Sequence, residues 1–429
     1  MNPGLWCDTK ETISMALFKS QRLLPALYEL LPADVRNFVG PVLEPSYFTV
    51  KRVLSIVSQL HLPVYQFQGK SIWGEGTLTT LLFGEGRGML PYILNLLYAD
   101  KPMKKGLGKI FIGNVKSDIN SYGPNADLVL IGMDEFFSRF LSQRGFVVLP
   151  EWIMFKMDLT KPFPRGGKNK GLSNNLRKVR KYQYSFEMTR DFAKFENFFH
   201  HMYLPYAANK YGELSLVGGF RDLKKIFEKG VLLLVSRGND CIAGSLLQMN
   251  DKTISARYLG VKDGNFKYVE KGVLAACYYF TITWAGEKRY KWVDFGHCRP
   301  FLNDGAFYHK KTWGMEVMKS VRPMLATKAV FGMKVCSHQQ GLLDFLAKNP
   351  FISLDHGKLK GLIFHQQDHP LTLEEIQALN KTYYIPGIDS FVISSLHGFT
   401  QEAQEFATSQ TPQRLYLTRL NQDTFLEVI

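Results

Sequence analysis

The stretch "TISARYLGVKDGNFKYVEKGVLAACYYFTITWAGEKRYKWVDFG", residues 253–296, has a short apolar segment at each end and a longer helical pattern between them. The β-branched and aromatic residues at the two ends predict strands, and the middle predicts a helix over about 267–285. Two strands joined by a helix run parallel, with a right-handed crossover. This stretch therefore predicts a parallel strand pair bridged by a helix, and the rest of the fold is built around it.

The bridging helix is apolar on most of its circumference. Its large apolar residues include Val273, Cys277, Phe280 and Trp284. Such a helix has to be covered on both sides, because any face left in water would expose apolar surface. We therefore expect a partner domain to pack against it.

Two more predicted strands, "VLLLVSR" and "CIAGSLLQM", come before residue 253. The turn sequences GND and NDK separate these strands from each other and from the next one, a pattern typical of antiparallel hairpins. Helical spacing precedes them, and Pro205 lies inside one of the predicted helices, where it predicts a kink of the kind that often borders a pocket. The order is therefore helices, a three-strand meander, a crossover helix and one further strand.

The chain has 429 residues, too many for a single core. Helical spacing predicts an N-terminal helical segment at 1–62, and short strands alternating with helices predict a mixed domain at 63–160. The unit around the bridging helix occupies 161–330. Residues 331–429 alternate strand and helix and predict a small α/β appendage. The predicted fold class is α/β (α+β), with mixed sheets flanked by helices.

The net charge of +15 is unevenly distributed. Residues 1–330 hold 46 Lys and Arg against 28 Asp and Glu, whereas residues 331–429 hold 7 against 10. The densest basic segment is "KPFPRGGKNKGLSNNLRKVRK", residues 161–181, with eight basic and no acidic residues. Such a field attracts polyanions, which makes tRNA or an anionic surface a candidate partner. A solvated linker and helix face explains the same charges equally well.

Several classes of protein are disfavoured by the sequence. No apolar run reaches the ~18 residues of a membrane span, and the N-terminus lacks the layout of a secretion signal. We expect a cytoplasmic protein without a transmembrane segment, either free or peripheral at the membrane. Five scattered cysteines, none in a CxxC pair, argue against a disulfide framework and a zinc ribbon. With no HExxH and no GxxxxGK[ST] motif, we expect no metal and no P-loop.

The turn before the bridging helix, "GVKDGNFKYVEKG", residues 260–272, combines glycines with lysines. A helix N-terminus presents N–H groups and a partial positive charge, so it can hold a phosphate. Glycines let the backbone approach, and lysines add charge without fixed geometry. The alternative is a plain turn with exposed lysines.

The stretch "VDFGHCRPFLNDGAFYHKKTWG", residues 293–314, concentrates ionisable and hydrogen-bonding groups at the end of a predicted strand. Its candidate catalytic residues are Asp294, His297, Arg299, Asn303, Asp304, Tyr308 and Lys310. So dense a polar set at one strand end favours a functional site.

Structural alternatives exist for the same residues. Asp294 can end the strand by accepting N–H bonds, Asn303 and Asp304 can form a turn, and Arg299 can pair with Asp304. We interpret His309 as a surface residue.

Three segments resemble the FemAB-like branch of the GNAT acyltransferase superfamily, whose members contain tandem GNAT-like domains. They are "NNLRKVRK" (174–181), "HMYLPYAANKYG" (201–212) and the polar stretch 293–314. The resemblance covers about 170–320, and it implies that 63–160 is a first, degenerate copy. It also implies an acyltransferase that acts on an amine, with an acyl group from coenzyme A as the most favoured donor. The acceptor would be a small molecule or a cell-envelope precursor.

The resemblance also implies roles for residues. The donor would lie between the two parallel strands, which splay apart, near Gly260, Val261, Gly264, Lys267, Lys271 and Gly272. His297 would be the base, oriented by Asp294 or Asp304, although positioning ranks above any triad. Arg299 would clamp a carboxylate or phosphate, and Tyr308 or Lys310 would donate hydrogen bonds.

The acceptor side and the reaction class stay open. The resemblance places Tyr203, Tyr206 and Lys210 on the acceptor side. One alternative is a transferase that uses aminoacyl-tRNA as donor. Another is a non-catalytic module with the same fold that binds RNA or a membrane surface.

Overall fold

The structure is a computed structural model that describes residues 56–84, 88–122, 125–163, 169–211, 218–320, 329–410, 412 and 414–419. The predicted N-terminal helical segment lies outside these residues up to position 55. The strands are β1 (His61–Lys70), β2 (Thr77–Gly84), β3 (Met103–Phe111), β4 (Leu128–Asp134), β5 (Val147–Pro150), β6 (Ile153–Asp158), β7 (Tyr184–Thr189), β8 (Val231–Arg237), β9 (Asp240–Asn250), β10 (Thr253–Val261), β11 (Trp292–Cys298), β12 (Glu316–Lys319), β13 (Ala329–Val335), β14 (Phe351–Asp355), β15 (Lys358–His365), β16 (Ser390–Ser395) and β17 (Leu415–Arg419).

The helices alternate with these strands, so the predicted mixed α/β class is confirmed. They are α1 (Met89–Leu97), α2 (Val115–Tyr122), α3 (Ser138–Ser142), α4 (Lys170–Lys181), α5 (Phe192–Phe198), α6 (Leu204–Tyr211), α7 (Phe220–Glu228), α8 (Phe266–Glu270), α9 (Val273–Glu287), α10 (Gly305–Thr312), α11 (Gln340–Lys348), α12 (Leu373–Tyr383) and α13 (Gln401–Ser409). A π-helical turn, Phe199–Tyr203, joins α5 to α6.

The second sheet contains the predicted meander and the predicted parallel pair. Its strand order is β12-β6-β11-β10-β9-β8-β7. β8, β9 and β10 pair antiparallel, and β10 pairs parallel with β11 across the bridging helix. The bridge is two helices rather than one, because Gly272 adopts φ +89° between α8 and α9. A left-handed residue of this kind ends one helix and begins the next.

Helix α9 is covered on one side by the sheet and on the other by α4, which packs along it. A Cβ at Gly272 would lie 2.8 Å from the Cβ of Lys178, so the two helices touch where α9 begins. The expectation of a partner domain on this face is therefore wrong. The cover is the basic segment itself, which buries Leu172 and Val179 and exposes most of its charges.

The first sheet has the order β3-β1-β2-β4-β13-β5 and therefore includes a strand from 329–335. Conversely, β6 lies within the domain predicted at 63–160 but belongs to the second sheet. The two sheets thus share chain segments across the predicted boundaries, because both strands are apolar enough to be buried inside either sheet. The division into domains at the predicted bounds stays a prediction.

The parallel pair of the first sheet stays closed. β2 and β4 pair over five consecutive positions, ending at Gly84 and Gly132. A Cβ at Gly84 would lie 2.4 Å from the carbonyl oxygen of Gly132, so the two backbones are in tight contact there. This sheet has no gap at that position.

The third sheet has the order β14-β15-β16-β17 and lies entirely within the predicted appendage. β15, β16 and β17 run parallel and are joined by α12 and α13, which is the predicted strand–helix alternation. The backbone of Leu302 donates to Pro350 and that of Ile352 to Pro300, which ties this sheet to the second one. Among the described helices, none has the length and hydropathy needed to cross a bilayer.

Candidate active site

The parallel strands β10 and β11 part after three paired residues. The pairs are Thr253–Trp292, Ile254–Val293 and Ser255–Asp294. Each strand then bulges: β10 shifts register against β9 between Ala256 and Tyr258, and β11 shifts against β6 between Asp294 and His297. A bulge bends its strand and increases the local twist. The backbone pairing of these strands therefore ends at Ser255–Asp294, on the side of their carboxyl ends where the slot is predicted.

An ion pair lies at the closed end of this slot. Arg257 donates from Nε and Nη2 to Oδ2 of Asp294 at 3.1 and 2.6 Å. The backbone N–H of Gly296 donates to Oδ1 of Asp294 at 2.7 Å, and Ser255 Oγ donates to Oδ2 at 3.2 Å. The carboxylate is thus held by four donors, and the side chain of Asp294 is 3% exposed against 34% for Arg257.

The environment of Asp294 fixes its charge. Burial acts to raise the pKa of this carboxyl, but the Arg257 guanidinium and the donated hydrogen bonds outweigh burial and lower the pKa below its ordinary value. Such a carboxylate is a weak proton acceptor. Asp294 pairs with Arg257 in the structure, and its predicted roles as a base or as the partner of His297 stay predictions.

Gly296 lies against Arg257, and its backbone conformation rather than the space around it calls for glycine. Its φ of +75° lies in the left-handed region, and a Cβ there would lie 3.5 Å from Cγ of Arg257. The sequence analysis missed Arg257. A signal was present, since a charged residue inside an otherwise apolar strand needs a buried partner, and Asp294 is the acid on the neighbouring strand.

The predicted donor residues divide into two groups. Gly260 and Gly264 pack against the helical segment that contains the π turn: a Cβ at Gly260 would lie 2.7 Å from the backbone nitrogen of Tyr203, and one at Gly264 would lie 2.6 Å from the carbonyl oxygen of Pro205. Val261 is fully buried. These three residues shape the turn by packing.

The other predicted donor residues lie where α9 begins. Lys267 is exposed, and Lys271 and Gly272 directly precede the helix, whose N-terminus has no side-chain cap. Lys178 from α4 donates to the carbonyl of Glu270 at 2.8 Å, which places a basic side chain beside this end. Uncapped helix amides flanked by lysines form a surface suited to phosphate.

The predicted acceptor residues lie on the segment that faces this turn. Tyr203 is a core residue whose hydroxyl accepts from the backbone of Gly218 at 2.8 Å. Tyr206 packs against Phe266, and Lys210 lies over the Tyr206 ring at 5.4 Å from its centroid. Pro205 follows the π turn, as expected of a residue that lacks an N–H and would clash with the carbonyl four residues earlier.

Three residues of the polar stretch make structural contacts away from the slot. Arg299 stacks on Trp152 at 3.6 Å from the ring centroid and donates to the carbonyl of Gly88 at 2.5 Å. Asn303 donates to the carbonyl of Lys348 at 2.8 Å. Asp304 caps α10 by accepting from two backbone N–H groups. These contacts join the second sheet to the rest of the chain, and the predicted catalytic roles of the three residues stay predictions.

Lys310 braces the bulge of β11. The Nζ of Lys310 donates to the carbonyls of Gly296 and His297 at 3.2 and 3.0 Å. Lys310 as a whole is 4% exposed. Burial lowers the pKa of this amine. His297 is half-buried on the bulge, and Tyr308 is exposed on α10.

His309 is half-buried rather than fully exposed. Its ring meets Tyr278 of α9 edge-on at 4.8 Å, and Trp313 Nε1 donates to its Nε2 at 3.3 Å. Burial, followed by the charges of Lys210 and Lys310, lowers the pKa of His309 to about 4. Its imidazole is neutral with the hydrogen on Nδ1, because the indole can only donate. The four-residue spacing to Trp313 was the signal in the sequence.

No family model and no curated protein matches this sequence. Among solved structures, L-PGS from Bacillus licheniformis matches at 12% identity and TM-score 0.32, covering 64% of this chain and 85% of that one. FemX matches at 13% identity and TM-score 0.29, covering 63% and 84%. A GCN5-related N-acetyltransferase from Sphaerobacter thermophilus matches at 11% identity and TM-score 0.27, covering 63% and 76%.

Likenesses with TM-scores this low carry no argument of their own. The strand order of the second sheet, the crossover helix and the short parallel pair agree with the mixed α/β arrangement that the resemblance to the GNAT superfamily implies.

In chemical terms the site combines the end of a parallel strand pair with a fixed ion pair at that end and with lysines near the start of α9. The described residues contain no cluster of His, Cys, Asp and Glu able to hold a metal ion.

Proposed function

We propose that this chain is an acyltransferase that binds an acyl donor in the slot between β10 and β11 and transfers the acyl group to an amine. The observation that carries this proposal is the parting of the two strands after the Ser255–Asp294 pair. Beyond that pair the two strands do not hydrogen-bond each other. On β11, the N–H of Gly296 and the carbonyls of Gly296 and His297 are already bonded to Asp294 and Lys310, so an extended donor arm would bond mainly to the backbone of β10. Coenzyme A carries two amides in such an arm.

The donor phosphates would lie where α9 begins. This end has no side-chain cap and is flanked by Lys178 and Lys271. Helix dipole and lysine charge act in the same direction there. The slot would thus hold the arm of the donor while the helix end holds its anionic part.

The reaction would be a direct displacement. The lone pair of the acceptor nitrogen attacks the thioester carbonyl, and a tetrahedral oxyanion forms. The oxyanion then collapses, the carbon–sulfur bond breaks, and the electron pair leaves with the coenzyme A thiolate. The amine loses one proton, and the thiolate gains one. The products are an amide and coenzyme A.

Proton removal would occur without a fixed carboxylate base. Asp294 is held charged by Arg257, and the Nε2 of His309 already accepts from Trp313. The acceptor amine would therefore enter in its neutral form and lose its proton to water after attack. Catalysis would rest on positioning two reactants, which supplies a large part of a transfer barrier.

A panel of coenzyme A thioesters tests the proposal by thermal shift. A ligand at 100 times its Kd stabilises the folded chain by about 2.7 kcal/mol. Lys271→Glu, at the start of α9, should abolish the shift. Lys288→Glu, just beyond the other end of the same helix, is the matched control and should retain it. The absence of any shift in the natural sequence would remove the thioester as donor.

Aminoacyl-tRNA is the second candidate donor, because the basic helix α4 packs against the start of α9. Arg177 and Arg180 are exposed on that helix and available to a nucleic acid backbone. Binding to RNA should weaken steeply with salt, and Arg177→Glu with Arg180→Glu should reduce it further. The same pair of changes should alter thioester binding little. RNA or vesicle binding without turnover on any donor would point to a non-catalytic module.

A further inference from the structure

The third sheet ends in a row of polar residues on the face that packs against α12 and α13. His365 lies beside Ser395, and Ser395 lies beside Arg419, in the register of three parallel strands. Two residues earlier, the corresponding row is Ile363, Ile393 and Leu417. Residues two apart on a strand share a face, so one face changes from apolar to polar at its last position.

Two atoms of this row have unmet hydrogen-bonding capacity. Ser395 is 1% exposed, and neither its Oγ nor Nδ1 of His365 has a hydrogen-bond partner among the described residues. A buried polar atom without a partner costs about 1–3 kcal/mol. Both atoms lie at the same end of neighbouring strands, and a ligand that bonded to them would remove that cost.

The place in the sheet also favours a ligand. β15 and β16 each lead into a helix, so α12 and α13 begin at this edge. Ligands of open α/β sheets bind outside the carboxyl ends of parallel strands, and helix N-termini favour anions there. The side chain of Arg419 runs past Gly398, with its Cδ 3.7 Å from where a Cβ would lie. Arg419 is exposed and supplies a cation at the mouth.

The first turns of the two helices carry acidic residues, Glu374 and Glu375 on α12 and Glu402 on α13, and the N-termini are capped by Thr372 and Thr400. Glu375 accepts from the backbone and hydroxyl of Thr372 in a capping box and from His369. Asp368 accepts from His369. The part of the chain that the structure describes has no group of residues here that would hold a metal ion.

We propose that this edge binds the phosphate group of a small molecule, with Arg419, Ser395 and His365 donating to its oxygens. A phosphate offers several acceptor oxygens to donors from three adjacent strands, which suits it better than a carboxylate with two.

The site is separate from the slot and does not depend on the proposed transferase activity. Lys311 contacts the carbonyl of Thr382 at the far end of α12, which joins that end to the second sheet. The 11 residues of α12 place its two ends about 16 Å apart.

Isothermal titration of the whole chain with inorganic phosphate, at low salt and without any acyl donor, tests this proposal. The natural sequence should bind phosphate at least tenfold more tightly than acetate. Arg419→Gln should weaken phosphate binding at least tenfold. Arg414→Gln changes an exposed arginine just before the other end of β17 and should leave binding unchanged.

The variant Ser395→Ala distinguishes an effect on phosphate affinity from an effect on stability. It should weaken phosphate binding about fivefold while the melting temperature stays equal or rises, because it removes an unpaired buried hydroxyl. The proposal is overturned if phosphate gives no binding heat, if acetate binds as tightly, or if Arg419→Gln and Arg414→Gln behave alike.

Discussion

Arg257 and Asp294 pair across two parallel strands at the point where those strands separate. The last backbone pair is Ser255–Asp294, and the guanidinium of Arg257 reaches back to the carboxylate at 2.6 Å. The ion pair therefore ends the paired part of the sheet and forms the base of the slot. Gly296 lies against Arg257, and its N–H donates to the same carboxylate. The ion pair therefore lies where the paired strands end and the proposed donor site begins.

The contributions of Arg257 and Asp294 to the free energy of unfolding should be non-additive. Arg257→Met leaves the buried Asp294 without its cation and should lower the free energy of unfolding by about 3–5 kcal/mol. Asp294→Asn should cost less, about 2 kcal/mol, because Arg257 is partly exposed and reaches water. The double variant should recover part of the loss. Urea unfolding of the natural sequence, the two single variants and the double variant measures the coupling energy between the two side chains. Strictly additive losses would show that they act independently.

Stability should fall in acid through Asp294. Because the folded state lowers the pKa of this carboxyl, its contribution is present above the pKa of the unfolded chain, 3.8, and is lost as pH falls through the lower folded value. Melting temperatures between pH 5 and pH 2 should fall more steeply for the natural sequence than for Asp294→Asn. Parallel curves for the two chains would contradict the lowered pKa.

His309 should cause a second pH dependence of stability, at higher pH than that of Asp294. Its pKa is about 4 when folded and 6.5 in its ordinary state, so between these values the unfolded chain binds a proton that the folded chain excludes. Stability should therefore fall by about 3 kcal/mol as pH drops from 6.5 to 4. His309→Gln should flatten this part of the curve. His201→Gln, at an exposed histidine, is the control and should leave it unchanged.

Lys310 should act on donor affinity rather than on folding. Lys310→Met keeps the length of the side chain and removes the two hydrogen bonds that brace the bulge at 296–297. A buried amine without a carboxylate partner within bonding distance contributes little net stability, so the melting temperature should stay equal or rise. The Kd for the donor should rise about tenfold. Lys311→Met is the matched control, and an equal loss of affinity in both variants would exclude a bracing role.

Arg299 should matter for stability alone. Arg299→Lys removes the planar stacking on Trp152 and the directed bond to Gly88, which an ammonium group does not reproduce. We expect a loss of about 2 kcal/mol in unfolding free energy with no change in donor affinity. A fall in donor affinity without loss of stability would instead place Arg299 in the site.

The sequence predicted local units well, because their periods of 2 and 3.6 residues are visible in a single stretch. The meander, the parallel pair and the strand–helix alternation after residue 350 were all of this kind. Strands β6 and β13 could not be assigned to a sheet, since a short apolar run carries no information on its neighbours. Their exchange between sheets depends on packing across the whole chain.

The site residues stay a prediction. Of the polar turn after Asp294, the segment 296–297 lies at the end of the parallel pair, whereas Arg299 and Asn303 contact other parts of the chain. Which side chains face the predicted slot depends on two bulges that change register. Those bulges bring Arg257 to Asp294 and direct Arg299 to Trp152. A one-residue shift reverses the face of every later side chain, so residue roles could not be read from spacing.

Amide hydrogen exchange of β10 and β11 tests the central claim most directly. We predict that saturating acetyl-CoA or aminoacyl-tRNA slows exchange at those amides within 256–261 and 295–298 that do not bond to β9 or β6, while the paired strand β8 at 231–237 is unaffected. If these amides are already as protected as those of β8 without a donor, or if neither donor slows them, the two strands do not form a donor slot.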